Sequence, residues 1–420
     1  MERLIERYYK VNRFILSVIG LWPYQSEWNA RLMRIIHFTF LITSVFIQIF
    51  SILTTELTME FITIIIPTVL PTLAFLPQLY IRIKLIDKLK ELLERMWNDW
   101  ALQKTYDEIK IMHEHAETTK LWTLYYVGMF PHMILRDCRA FFIIDNKYIA
   151  IKNNFIGLSY LGVTIYNIWL FMPEILDIIS PMNESRPRIQ LPYLHVEFFV
   201  DEERYFYFIR FLVCIITFVS PLMPLACSTL FMVLTQHVCA MCELQGYRAE
   251  RLFSIVKNTK RCDLFRRAKI SCEKITVFVR LHNSIIQFIG IINSYYTIPC
   301  LMDLIGILFV ASITVFQILT IIQIEEALRS VILTILFLSY MFVFNYMGEK
   351  VTNQSSNMCE KVYNSVWYNA VVSEQKLLLL IIKRRFQPLV LTAWFYVFSL
   401  PNFELILQRL ISYSMFIRQI

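Results

Sequence analysis

His132 to Asp137 reads "HMILRD", an H-x4-D spacing that some membrane acyltransferases use to let an aspartate orient a histidine base. No downstream substrate-binding signature accompanies it. "HEH" at His113 to His115 lacks the i, i+4 histidine pair of a zinc helix, and Cys239-Ala-Met-Cys242, with His237 nearby, lacks a second ligand pair at zinc spacing. Small side chains buried at a helix end account for those cysteines. Catalysis is not supported, and neither a metal nor a cofactor is expected. The C-terminal segment is more informative. Glu404, Gln408 and Ser412 step by four, and the series continues through Phe416 to Ile420 with Gln419 beside it, tracing one face of a helix. Polar groups facing lipid are costly, so this face should look into protein or water. Two readings stand. The stripe is either buried within a bundle, or it lines a pore that Phe416 and Ile420 close as apolar constrictions, in which case several copies must surround an axis.

The elements that would position these residues belong to a membrane protein. Of 420 residues, 57% are hydrophobic and 18% charged, and the mean hydropathy is +0.51, too apolar for a soluble domain of ordinary composition. Only 8 glycines occur, and the aromatic share of 15% is mostly Phe and Tyr. That composition favours packed helices over a Gly-rich barrel. The first 25 residues alternate charge with short apolar pieces and offer no cleavable signal. None of the nine cysteines, scattered from Cys138 to Cys359, falls in an outside loop on the topology below, so no disulfide framework is expected.

A span needs about 20 mostly apolar residues to cross ~30 Å of hydrocarbon. Seven helices are drawn on that basis, at approximately 32–54, 61–81, 155–176, 205–235, 283–324, 327–348 and 386–418. The fifth apolar run carries only one charge, Asp303, in 42 residues, about 63 Å if helical; we read it as one long helix projecting into the cytosol. In Leu121 to Asn154 the apolar stretch "LWTLYYVGMFPHMIL" is only 15 residues with Pro131 inside, too short to span, and charged residues follow, so the segment is cytosolic or interfacial. On this alternation 34 of the 41 lysines and arginines fall on one face. The positive-inside rule makes that face cytosolic. The expected fold is therefore an all-α membrane protein with seven transmembrane helices, a cytosolic N-terminus and an extracellular C-terminus, the reverse of a G-protein-coupled receptor. Segments 236–282 and 349–385 become cytosolic. The outside loops are acidic, and Asn183-Glu184-Ser185 is a glycosylation sequon on the correct side for use.

Pro67, Pro71 and Pro77 should kink the second span and keep it from close-packing as a straight rod. The space left would be an apolar pocket in the outer half of the membrane. Tyr205, Tyr207 and Phe211 would line it from the fourth span, Phe337 and Tyr340 from the sixth.

Several stretches resemble one family. "YNSVWY" at Tyr363 to Tyr368, "KLLLLIIKRRFQPLVLTA" at Lys376 to Ala393 and "SYSMFIRQI" at the end look like the seventh-helix signature of insect odorant receptors. "NYMGEKVTNQSS" at Asn345 to Ser356, "MNESRPR" at Met182 to Arg188 and "FFVDEERYFYF" at Phe198 to Phe208 are similar to its sixth-helix end and second outside loop. The resemblance implies a plasma-membrane protein of olfactory sensory neurons, the odorant-binding subunit of a heterotetrameric, ligand-gated, non-selective cation channel. Its partners would be the odorant co-receptor, membrane lipid and a small volatile apolar ligand, with no nucleic acid. The resemblance also implies that the final helix lines the pore, with Gln408 and Ser412 on its wall, Phe416 and Ile420 as gate residues and Gln419 as their polar neighbour. The segments 236–282 and 349–385 would form the inter-subunit anchor. Against the family pattern, 128–156 reads as an insertion in the third-helix region, either a lineage-specific loop or a retained intron. The related gustatory receptors end in a similar motif, so a gustatory channel subunit is the alternative. The short loop Arg248 to Arg280 favours a ligand-tuning subunit over the co-receptor.

Overall fold

The computed structural model describes residues 4–54, 58–103, 105–127, 167–168, 171–179, 202–251, 264–320, 324–365, 367–369, 372–383 and 388–419. The segment 128–156, the sequon at Asn183, most of the third span and Ile420 lie outside them, as do the side chains of Tyr205 and Gln419. The described chain is almost wholly helical. A π-helical turn (Ile5–Tyr9) leads into α1 (Lys10–Ile19), followed by α2 (Glu27–Thr54), α3 (Met59–Lys84), α4 (Ile86–Ala101) and α5 (Tyr106–Val127). Then come α6 (Met172–Ile179), α7 (Glu202–Val219), α8 (Leu222–Arg251), α9 (Leu264–Thr320), α10 (Ile324–Asn364) and α11 (Val372–Lys383). A two-residue hairpin, β1 (Thr392–Ala393) with β2 (Tyr396–Val397), precedes α12 (Leu400–Gln419).

Among the described residues five helical stretches are long and apolar enough to cross a membrane: Glu27–Thr54, Phe61–Lys84, Arg210–Arg251, Ile275–Thr320 and Ser330–Asn364. The last helix is not among them. Glu404, Gln408, Arg409 and Arg418 lower its apolarity, and a helix that polar needs a non-lipid neighbour along part of its surface.

Three boundaries depart from the sequence expectation. The long helix is continuous but starts about 19 residues earlier, at Leu264, and runs 57 residues through Pro299. The fourth span is divided at Ser220 and Pro221 between α7 and α8; a proline has no N–H to give the preceding turn, and its ring crowds the carbonyl four residues back. In the seventh, residues 388–399 are extended and turned, and the helix begins only at Leu400. Pro401 occupies its first turn, where a missing N–H costs nothing. The Ser399 hydroxyl accepts from the Asn402 N–H at 3.4 Å, a capping bond of the usual kind.

The second span holds its three prolines within one helix, α3. Pro67 cannot bond the Thr63 carbonyl, and that carbonyl instead accepts from Gln317 Nε2 on α9 at 2.7 Å. Gln317 is itself fixed by a bond from Ser330 of α10 at 2.9 Å. The proline thus trades a local bond for one that ties three helices together.

Helix α8 is the hub. Nearly every residue from Met223 to Gly246 is buried, as expected of a helix enclosed on all sides. Its Phe231 packs on Tyr296 of α9, Phe344 of α10 and Phe398 after the hairpin, with ring centroids 4.5–5.8 Å apart. At its C-terminal end the contacts turn ionic. Arg248 donates to Glu108 at 2.7 Å and Gln103 at 3.0 Å, and His237 Nε2 lies 3.0 Å from Asp99. The Tyr247 hydroxyl, followed by the Arg251 charge, holds the Asp107 carboxyl below its ordinary range. The "HEH" histidines serve here too: His115 meets Glu243 at 2.8 Å, and His113 meets the Tyr8 hydroxyl at 2.5 Å. Cys239 and Cys242 are buried apolar packing, and no cluster of three metal-ligating side chains occurs among the described residues.

Candidate functional site

A cavity of about 330 Å³ opens where α2, α3, α7, α9 and α10 converge. It is about twice the size of an engineered apolar cavity that accepts benzene. Pro67, Pro71 and Phe75 of α3 form one wall and Val213 and Ile216 of α7 another, with Ile332, Leu336 and Phe337 of α10 opposite. The lining is overwhelmingly hydrocarbon, as suits a small apolar ligand.

Of the five side chains expected to line it, the cavity brings together two, Phe337 and Tyr340. Tyr207 and Phe211 lie elsewhere, on the outer surface of α7 with 65% and 62% of their area exposed, and Tyr205 is outside the described side chains. The cause is helical phase. Val213, Ile216, Thr217 and Ser220 share one face at three- and four-residue steps, and residues 207 and 211 fall more than 100° around from it.

One end of the cavity is polar. Asp303, on its floor and on α9, accepts from Gln78 Nε2 of α3 at 2.5 Å and from the Tyr340 hydroxyl of α10 at 2.6 Å. Beneath lies Arg82, 1% exposed, its guanidinium 5.5 Å from the Tyr295 ring centroid and 5.3 Å from that of Tyr296. Its charge acts on Asp303, and none of its three nitrogens has a hydrogen-bond partner among the described residues. The threonines and the glutamine of the wall direct their protons at protein oxygens. Thr68 donates to the Ile65 carbonyl at 2.7 Å and Thr72 to the Thr68 carbonyl at 2.7 Å. Thr217 donates to the Cys214 carbonyl at 2.9 Å or to Asn167 at 3.1 Å, and the Gln48 amide points at Thr68 and Thr72 at 3.4 Å.

Sequence reasoning had not assigned Asp303 or Arg82 to the site. A lone carboxylate in a 42-residue apolar run was the available signal, because an intramembrane charge needs a partner. Arg82 was hidden as one more basic residue at a span end.

The last helix has two faces. Ile406, Leu410 and Ser414 are buried, and the Ser414 hydroxyl bonds the Ser312 carbonyl of α9 at 3.2 Å. Glu404, Gln408, Ser412 and Phe416 lie on the exposed side, with the Ser412 hydroxyl on the Gln408 carbonyl at 3.1 Å. The polar stripe therefore faces out of the single chain and is not buried in its bundle.

The start of that helix is clamped to α10. Asn345 Oδ1 accepts from the Tyr396 hydroxyl at 2.7 Å and from the Ser399 N–H at 3.1 Å, while its amide donates to the Met341 carbonyl at 2.9 Å. Gly348, one turn on, lets the backbone of Phe398 pass directly against the helix.

Residues 143–410 match a family model described as 7tm Odorant receptor. The chain is 26% identical over 135 residues to Odorant receptor 22c of Drosophila melanogaster, which covers 32% of this chain and 34% of that protein. It is 26% identical over 143 residues to Odorant receptor Or2 of Anopheles gambiae, 34% of this chain and 38% of that one. These matches span little more than a third of either relative's length. Two solved structures of the olfactory receptor OR5 from the insect Machilis hrabei share the fold. The one in complex with eugenol gives a TM-score of 0.75 at 13% identity, over 99% of this chain and 98% of that one. The other gives 0.67 at 14% identity, over 98% of both.

Proposed function

We propose, from the premise that this chain belongs to the 7tm odorant receptor family, that it is the odorant-binding subunit of a heteromeric, ligand-gated, non-selective cation channel. The observation that carries this reading is the cavity of about 330 Å³ between the spanning helices, sized for a volatile molecule. The olfactory receptor OR5 from Machilis hrabei, whose fold this chain shares, is solved in complex with eugenol. Gln408, Ser412 and Phe416, on the exposed face of α12, would line the pore together with Gln419 and Ile420, the other faces coming from further subunits, including an odorant co-receptor. The assembly would work in the plasma membrane of olfactory sensory neurons.

Gly306 supplies the test. It lines the cavity, and a Cβ added there would meet nothing within 4 Å. Gly306→Phe should fill the cavity without strain in α9 and abolish odorant-evoked current in cells that also express a co-receptor, at unchanged surface level. Gly306→Ala, which gains roughly 0.5–1 kcal/mol of helix stability, should keep the current. Odorant currents that survive Gly306→Phe would remove the cavity from the mechanism.

Orientation is tested separately. Epitope tags on intact cells should stain at the C-terminus and stay hidden at the N-terminus. The opposite pattern would return the chain to the orientation of G-protein-coupled receptors.

A further inference from the structure

We infer that the cavity selects neutral ligands carrying a hydroxyl donor, alcohols or phenols, and that Asp303 is the acceptor that anchors them. The inference rests on the reading of the cavity as the ligand site and adds the chemistry of its occupant.

A carboxylate offers about four acceptor positions. Gln78 and Tyr340 fill one on each oxygen of Asp303, which leaves two in a space walled by hydrocarbon. An acceptor without a donor in such surroundings is costly. Tyr340 has given its proton to Asp303, so its oxygen is an acceptor as well. Thr68, Thr72 and Thr217 present lone pairs for the same reason, their protons being held by carbonyl oxygens. Ser44 and Ser220 also line the cavity with hydroxyls that can turn to either role, while the Tyr126 hydroxyl is engaged with Ser228. A ligand that only accepts, such as an aldehyde or an ether, finds no donor at the floor. An alcohol completes it.

Arg82 decides between a neutral donor and a cationic one. An isolated buried carboxylate would call for an ammonium ligand. Here the guanidinium of Arg82, held over Tyr295 and Tyr296, already exerts its positive charge on Asp303, so a second cation would be desolvated beside a like charge. Arg82 does not line the cavity; it is a positioning residue that acts through Asp303.

The test is binding to the full-length receptor in lipid nanodiscs, read as a ligand-induced rise in unfolding temperature. The probes are octanol, octanal and heptyl methyl ether, matched in heavy-atom count. Octanol should bind about 10- to 100-fold more tightly than the ether, as expected for a hydrogen bond to a charged group. The double variant Arg82→Met/Asp303→Asn keeps the floor neutral and gives it an amide that both donates and accepts, so octanol and octanal should bind it alike. Tyr340→Phe, which opens a further acceptor position on Asp303, should keep the preference for octanol. Equal binding of all three probes to the native protein, with Gly306→Phe blocking each, overturns the inference and leaves the cavity reading intact. A preference for octanol that persists in the double variant removes Asp303 as the anchor. Binding that survives Gly306→Phe, or failure of all three probes to bind, overturns the inference together with the cavity as their site.

Discussion

Replacing Arg82 with methionine is expected to destabilise the receptor by about 3–5 kcal/mol, seen as reduced surface expression and a lower unfolding temperature. The side chain is fully buried and earns its place by charge alone. It makes no hydrogen bond among the described residues, and its two tyrosine faces contribute only about 0.5–2 kcal/mol. What it supplies is a field for Asp303, whose carboxylate would otherwise sit uncompensated between three helices. Asp303→Asn is expected to fail for the mirror reason, leaving a desolvated guanidinium. Because each loss comes from the charge left behind, the double variant Arg82→Met/Asp303→Asn should recover most of the stability of the native protein. Arg82→Lys should recover only part, since a compact ammonium cannot lie flat across two rings. A native-like unfolding temperature for Arg82→Met alone would show that the two charges are not coupled.

This pair also marks the limit of what the sequence could reveal. The fold class was legible because hydrocarbon thickness imposes run lengths, and the long apolar segments of α2, α3, α9 and α10 display them openly. The two-faced character of the last helix was legible because Glu404, Gln408 and Ser412 keep a four-residue step. Periodicity gives a face but not the object it looks at. Tyr207 and Phe211 were plausible pocket residues until the phase of α7, set by packing against its neighbours, turned Val213 and Thr217 inward in their place. Asp303 was visible as an isolated charge, yet its partner lies 221 positions earlier in the chain. No local pattern singles out Arg82 from the other basic residues that end spans. The hairpin at Thr392–Val397 was hidden by its own apolarity, since Trp394, Phe395 and their neighbours read as continuing helix.

Gly348→Ala is expected to uncouple ligand binding from current. A methyl group there would press into the carbonyl of Phe398 and lie 2.5 Å from its Cβ. The obstacle is backbone, which cannot step aside as a flexible side chain can. Either α10 or the strand leading into α12 must move, and overpacking of this kind costs roughly 1–3 kcal/mol, occasionally more. The displacement falls where Asn345 holds Tyr396 and Ser399, and therefore where the direction of the last helix is set. A gate poised between states a few kcal/mol apart changes occupancy about tenfold for each 1.4 kcal/mol, so the odorant-evoked current should fall by about tenfold or more. The cavity is lined by residues of α10 up to Tyr340 and by none of the hairpin; the thermal shift produced by a bound alcohol should persist. Gly290→Ala provides the comparison, because a Cβ there meets nothing within 4 Å and the exchange should be neutral or mildly stabilising. Native current and native stability in Gly348→Ala would mean that α12 takes its direction from contacts between subunits and not from its clamp on α10.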